Sequence, residues 1–186
     1  MKYNIPIILG TAREGRKSEH VAKFLHALTK DHDSFSTELV DVRDFKETKT
    51  IPSWEDAGVY EGWREKAEKA DGFIIVVPEY NHGYPGELKL LLDSAHKEYL
   101  RKPVLVAGVS SGIFGGARVV ENLRTVLVEY GMVLLKSAVY TTKVEELFDE
   151  SGEIVTDRKD EFRKRVEKAF EELEWFVKVL KEGRES

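Results

Sequence analysis

The chain predicts an α/β fold, one domain spanning residues 1–186 with a five-stranded parallel sheet between two layers of helices. Three observations carry this expectation. Apolar, β-branched runs alternate with stretches whose apolar residues recur three and four apart, with no internal repeat or linker between them. Several of the runs are apolar nearly throughout, as strands covered on both faces are. A length of 186 residues with 41% hydrophobic and 34% charged residues suits one domain with a substantial core.

The strands are expected at residues 5–9, 36–42, 72–77, 104–109 and 133–138. Between them lie helices. Val21, Phe24, Leu25 and Leu28 fall on one stripe, as do Tyr60, Trp63, Ala67 and Ala70 before the third strand. Val119, Val120, Leu123 and Leu127 do the same after the fourth. A last helix carries Phe162, Val166, Ala169, Phe170, Leu173, Phe176, Val177 and Leu180 on one face, with Asp157 as its expected N-cap. Alternating βα units imply right-handed crossovers and helices on both faces of the sheet. Five strands suit the flavodoxin-like order 2-1-3-4-5, whose switch point lies between strands 1 and 3. The loops after Leu9 and Val77 then face one crevice, with the loop after Val109 beside them.

Composition narrows the function classes. The balance of 29 basic and 34 acidic residues gives a net charge of -5, and no basic run is interleaved with aromatics, so nucleic acid is not an expected partner. No apolar segment approaches the roughly 20 residues of a membrane span. The chain enters its first strand without a signal-peptide layout, so the cytoplasm is the expected location. Zero cysteines exclude disulfides, thiol catalysis and Cys-ligated metal centres. No metal ligand set or catalytic dyad stands out.

Each of the three loops has chemistry of its own. Gly10-Thr11-Ala12-Arg13-Glu14-Gly15-Arg16-Lys17-Ser18 leaves strand 1 and opens a helix at Ser18. Free N–H groups at a helix start, the Thr11 and Ser18 hydroxyls and the Arg13 fork suit a phosphate. The stretch nearly reads as a nucleotide-triphosphate P-loop, but Arg16 intervenes between Gly15 and Lys17-Ser18, and no Walker-B-like acid ends the third strand. A surface turn with Ser18 as an ordinary cap is the plain alternative. The second loop, Pro78-Glu79-Tyr80-Asn81-His82-Gly83-Tyr84-Pro85-Gly86-Glu87-Leu88-Lys89, is stiffened by two prolines and suits the edge of a flat heteroaromatic ring. His82 and Glu79 lack partners in the sequence and are not assigned catalytic roles. The third, Ser110-Ser111-Gly112-Ile113-Phe114-Gly115-Gly116, lets a ligand approach the backbone and starts a helix closely.

With these residues the chain resembles the NADPH-dependent FMN reductases of the flavodoxin-like superfamily, which include quinone, azo-dye and chromate reductases. Thr11, Arg13 and Ser18 are similar to that family's Gly-Ser-x-Arg-x-x-Ser phosphate motif, with Glu14-Gly15-Arg16-Lys17 lengthening it. Residues 78–89 resemble its Pro-Glu-Tyr-Asn…Pro…Leu-Lys signature, with His82-Gly83 replacing the commoner small pair, and Ser111-Gly112…Gly115-Gly116 its third flavin loop. The resemblance implies bound FMN with NADPH or NADH as co-substrate. Thr11, Arg13 and Ser18 would hold the phosphate, and His20 stands where the family often has Asn. Pro78, Glu79, Tyr80, Asn81 and Gly83 would border the ring, with Ser111 and Gly112 on its other side. It further implies a quinone, azo compound, metal oxyanion or free flavin as acceptor, and a homodimer or homotetramer paired through the leucine-rich segment 88–95. A flavodoxin-type electron carrier and a non-enzymatic binding module on the same fold are the competing readings. Residues 43–59 are long for a connection and are expected to overhang the site as a lid.

Overall fold

The structure, a computed structural model, describes residues 2–45, 47–56, 58–155 and 157–186. Pro6 divides the first strand. Lacking an N–H, it leaves two pieces, β1 (Tyr3–Asn4) and β2 (Ile7–Leu9), although the N–H groups of Ile5 and Ile7 still donate to the carbonyls of Ser36 and Glu38 at 2.8 Å. The second strand is likewise split into β3 (Phe35–Ser36), paired with β1, and β4 (Leu39–Asp41), paired with β2. Next come β5 (Phe73–Pro78) and β6 (Pro103–Val109), and then β7 (Val133–Leu134) and β8 (Val139–Thr141). Every one of these pairings is parallel. Across the larger sheet the order is β4-β2-β5-β6-β7, with β8 also on β6.

The fifth strand differs from the expected 133–138. Leu135 donates to the Val104 carbonyl at 3.2 Å, but the N–H groups of Lys136 and Ser137 turn to the Glu172 carboxylate at 3.1 and 3.0 Å. A carboxylate from a packed helix thus draws two rungs out of the ladder, and pairing resumes at Val139. The strand therefore ends at Thr141, so its following loop reaches the crevice.

The helices are α1 (Ser18–Lys30), α2 (Glu61–Lys69), α3 (Gly86–Asp93), α4 (Ala117–Glu129), the single turn α5 (Val144–Leu147) and α6 (Lys159–Glu185). Strand alternation divides the core in two. Ile7, Leu9, Ile74, Val76, Leu105 and Ala107 pack against α1 and α6. Ile8, Ile75, Val77, Val104 and Val106 pack against α2, α3 and α4. Fully burying each such aliphatic side chain contributes about 1.5–3 kcal/mol. In the second core Trp63 Nε1 donates to Tyr99 Oη at 2.8 Å, which donates on to the Leu92 carbonyl at 3.1 Å, so the two large aromatics bury no unpaired polar atom.

Three expectations change. Leu88, Leu91 and Leu92 are fully buried in the chain's own second core, so the leucine richness of α3 is accounted for without a partner. In the 43–59 segment, of which Lys46 and Ala57 lie outside the described residues, Arg64 binds the carbonyls of Pro52, Glu55 and Ser94. This anchors the segment against the end of α3, and among its described residues none lines the crevice. Arg158, not Asp157, precedes α6; it is already in helical geometry, and its Nη2 donates to Thr142 Oγ1 at 3.0 Å. No helix among the described residues is long and apolar enough to cross a membrane.

Candidate functional site

At the carboxyl ends of β2, β5, β6 and β8, four loops enclose a cleft of about 150 Å³. Its wall comprises Arg13, Gly15, Arg16, Lys17 and Ser18, then Pro78, Glu79 and Tyr80, then Val109, Ser110 and Ser111, and finally Val144 and Glu145. The floor is the start of α1. Lys17 occupies the cap position without a side-chain bond, and Ser18 is the first helical residue. Ser18 is buried, and its Oγ has no hydrogen-bond partner. Capping therefore does not account for this hydroxyl. The first-turn N–H groups and the positive end of the helix dipole lie in the same place.

The first loop is held from three sides. Arg16, only 7% exposed, binds the Thr11 carbonyl and pairs with Asp41 at the end of β4, its Nη1 reaching Asp41 Oδ1 at 2.8 Å. Burial alone would raise the Asp41 carboxyl, but Arg16 and the Arg43 N–H outweigh it and hold the group below its ordinary value. Arg43 donates to the carbonyls of Ala12 and Arg13 at 3.0 and 2.5 Å. Glu87 Oε1, from the first turn of α3, accepts from Ala12 N at 2.7 Å and Thr11 Oγ1 at 3.0 Å. The loop's internal arginine is thus neutralised. Arg13 remains exposed at the rim with its guanidinium 5.7 Å from the Tyr80 ring centroid.

The opposite wall is a tight hairpin. Tyr80 and Gly83 exchange N–H···O bonds at 3.0 and 2.9 Å around Asn81 and His82, whose φ values are 49° and 68°. Both central residues are left-handed, as a two-residue primed turn demands. Glycine would meet this requirement freely; His82 meets it with strain of roughly 1–2 kcal/mol. Glu79, its side chain 5% exposed, receives Arg118 on Oε1 at 2.6 Å, while its Oε2 is buried without a partner. On the third loop α4 starts close to β6: a Cβ on Gly116, at φ 83°, would stand 2.6 Å from Val109 N. That is the close helix start expected of Gly115-Gly116.

A profile of the NADPH-dependent FMN reductases matches residues 3–146. The chain belongs to that family. It is 32% identical over 130 residues to an NAD(P)H-dependent FMN reductase of Schizosaccharomyces pombe, a match covering 66% of this chain and 64% of that one. With a quinone reductase of Escherichia coli it shares 31% identity over 139 residues, covering 68% of this chain and 70% of the relative. Among solved structures, a flavoenzyme NAD(P)H:(acceptor) oxidoreductase from Paracoccus denitrificans superposes with a TM-score of 0.76 at 21% identity, covering 95% and 98% of the two chains. That likeness concerns the fold, a flavodoxin-like α/β sandwich.

Within this family framework, Arg13, Ser18, Pro78, Glu79, Tyr80 and Ser111 stand together on the cleft wall. Other residues singled out in the sequence stand behind it. Thr11 is fully buried, bonded to Glu87 and within 3.2 Å of Tyr80 Oη. His20 faces away and stacks on Phe148 with ring centroids 6.0 Å apart. Asn81 and Gly83 shape the hairpin, and Gly112 lends its carbonyl to Lys143 N at 3.0 Å. Sequence reasoning missed Gly15, Arg16, Lys17, Val109, Ser110, Val144 and Glu145 as wall residues, and Glu87, Asp41 and Arg43 as the braces of the first loop. An acid in the first helical turn after the second loop was the available signal for Glu87. The fourth loop gave none, because its position depends on where the broken fifth strand resumes.

Proposed function

We propose that the protein binds FMN in this cleft and uses NAD(P)H to reduce a small acceptor, with quinones first among the candidates. The observation that carries this reading is the pair of buried orphan atoms on the cleft wall, Ser18 Oγ and Glu79 Oε2. A buried polar atom left unmatched costs about 1–3 kcal/mol. A phosphate oxygen would accept from Ser18, and the N–H of a flavin or the hydroxyls of its side chain would donate to Glu79, so the residues present fit the group.

In this reading Ser18, the α1 N-terminus, Arg13 and Lys17 hold the phosphate. Thr11 acts behind them, locking the loop to Glu87. Pro78, Glu79, Tyr80 and Ser111 border the ring, with Asn81, Gly83 and Gly112 fixing the backbone that presents them. His20 supports α1 from outside the cleft. The enclosed volume of about 150 Å³ is smaller than the roughly 300–1,000 Å³ typical of small-molecule sites, so part of the nucleotide would lie outside the enclosed space. When bound, FMN supplies a flat ring that takes up a hydride equivalent and gives it up again. The chain's own residues bind and orient, and the reading needs no acid–base pair. The quinone assignment follows the Escherichia coli relative; azo compounds, metal oxyanions and free flavin are the other acceptors to compare. Assembly as a homodimer or homotetramer belongs to the same proposal, supported by Trp54, 84% exposed beside the end of α3.

The test is direct. Purified protein should be yellow, release about one FMN per chain on denaturation, and oxidise NADPH in the presence of menadione. Colourless protein that also fails to take up added FMN would overturn the reading, and a monomer by light scattering at micromolar concentration would remove the assembly.

A further inference from the structure

Beyond the Glu79 wall of the cleft lies a second, open hollow of about 370 Å³ bounded by His82, Ala117, Arg118, Glu121 and Asn122. Arg118 forms the partition. On one side its Nε and Nη2 both reach the same oxygen of Glu79, at 2.6 and 2.5 Å. This pairing of the Nε–Nη2 edge with one oxygen leaves the Nη1 end of the guanidinium available. The side chain remains 46% exposed. It lies 5.0 Å from the centroid of the Phe114 ring, itself 58% exposed, which gives an otherwise mobile side chain a defined direction.

Arg118 is also in an electrostatically unusual place. It occupies the first turn of α4, a helix of 13 residues with no acid in that turn. A cation there adds to the positive end of the dipole, where anions are normally favoured. Glu121, the acid among the residues that bound the hollow, is engaged by Arg124 at 3.0 Å. The opposite rim is rigid, because Asn122 Nδ2 donates to the His82 carbonyl at 2.6 Å and so ties the strained hairpin to α4. Strain retained at a fixed hairpin between two cavities is characteristic of a ligand-contacting segment.

We propose that this hollow seats an oxyanion carried by a planar co-substrate, and that Arg118 recognises it by a charge-assisted hydrogen bond. The inference rests on the FMN reading, which places the ring along the hairpin that borders both cavities. Two co-substrates can bring the oxyanion: an acidic acceptor, such as a sulfonated or hydroxylated quinone, or the phosphates of the nicotinamide dinucleotide.

The experiment uses FMN-loaded protein, with FMN content and affinity measured first for each variant, so that failure of the flavin reading is seen separately. Calorimetry compares two redox-inert probes, naphthalene-2-sulfonate and neutral 2-naphthamide. The sulfonate should bind at least fivefold more tightly than the amide to the wild type. Arg118→Ala should erase that preference, and Arg118→Lys, which keeps a charge opposite Glu79, should retain part of it. Ala117→Phe fills the hollow while leaving the Arg118 charge in place and should weaken both probes, so a poorly folded Arg118→Ala does not decide the matter. Kinetics then identifies the source. A fivefold or greater fall in the kcat/KM ratio of 1,2-naphthoquinone-4-sulfonate to menadione assigns the oxyanion to the acceptor. A matching rise in the dissociation constant for NADPH in the reductive half-reaction assigns it to the dinucleotide. Equal binding of the two probes to the wild type, or an unchanged preference in both Arg118 variants, overturns the proposal.

Discussion

Replacing Ser18 by Ala should move apo-protein stability and FMN affinity in opposite directions. The hydroxyl is buried and unpartnered, so the free protein bears a penalty of about 1–3 kcal/mol for it. Removing one oxygen leaves a small void that cancels part of the gain. A net stabilisation of up to about 1 kcal/mol is expected, or roughly 2–4 °C in Tm for a domain of this size. In the proposed complex the same hydroxyl meets a charged phosphate oxygen, and losing that bond would cost about 1.5–3 kcal/mol, roughly a 10- to 150-fold rise in Kd. Differential scanning calorimetry of apo-protein and quenching of FMN fluorescence give the two numbers. Riboflavin, which lacks the phosphate, supplies the control: its affinity should change less than threefold. A variant destabilised by more than about 1 kcal/mol with FMN affinity unchanged would show that Ser18 is a structural element of α1, and the assignment of the cleft as a phosphate site would lose its main support.

Other perturbations follow from the same geometry. Arg13→Ala should weaken FMN by about 1.5–3 kcal/mol and leave riboflavin unaffected if Arg13, on the cleft wall, holds the phosphate as proposed; equal losses for both flavins would place Arg13 on the ring instead. Asp41 is held below its ordinary value, so its pairing with Arg16 stabilises the fold above about pH 4 and loses that contribution as the pH falls through the depressed value. Asp41→Asn should flatten the acid limb of the stability–pH curve measured by urea unfolding, and an acid limb identical to wild type would separate that pair from stability. His82→Gly relieves a left-handed side chain but adds unfolded-chain entropy, giving a net gain of up to about 1 kcal/mol in urea unfolding; a loss of more than 1 kcal/mol would mean that the His82 side chain holds the hairpin.

The sequence by itself determined the layered α/β plan and the loops that matter. Apolar runs such as Phe73 to Val77 specify a strand buried on both faces, because a short run with four β-branched residues favours the extended backbone over a buried helix. The spacing of Val119, Val120, Leu123 and Leu127 specifies the buried stripe of a helix in the same way. Pro78 and Pro85 of the second loop and the paired glycines at 115 and 116 act through their own backbones, so their effect is legible from residue type alone. Tertiary structure alone decided which polar groups are consumed as braces and which remain available. Arg16 and Arg13 look equivalent in the sequence, yet Asp41, 25 residues further on, neutralises the first and leaves the second at the rim. Glu172 displaced the end of the fifth strand by drawing off the N–H groups of Lys136 and Ser137, which brought Val144 and Glu145 to the cleft. Hydrogen bonds and charge pairs act over a few ångströms in space and are indifferent to separation along the chain. For that reason Ser18 could be suspected from its motif, but only the fold showed its hydroxyl buried without a partner.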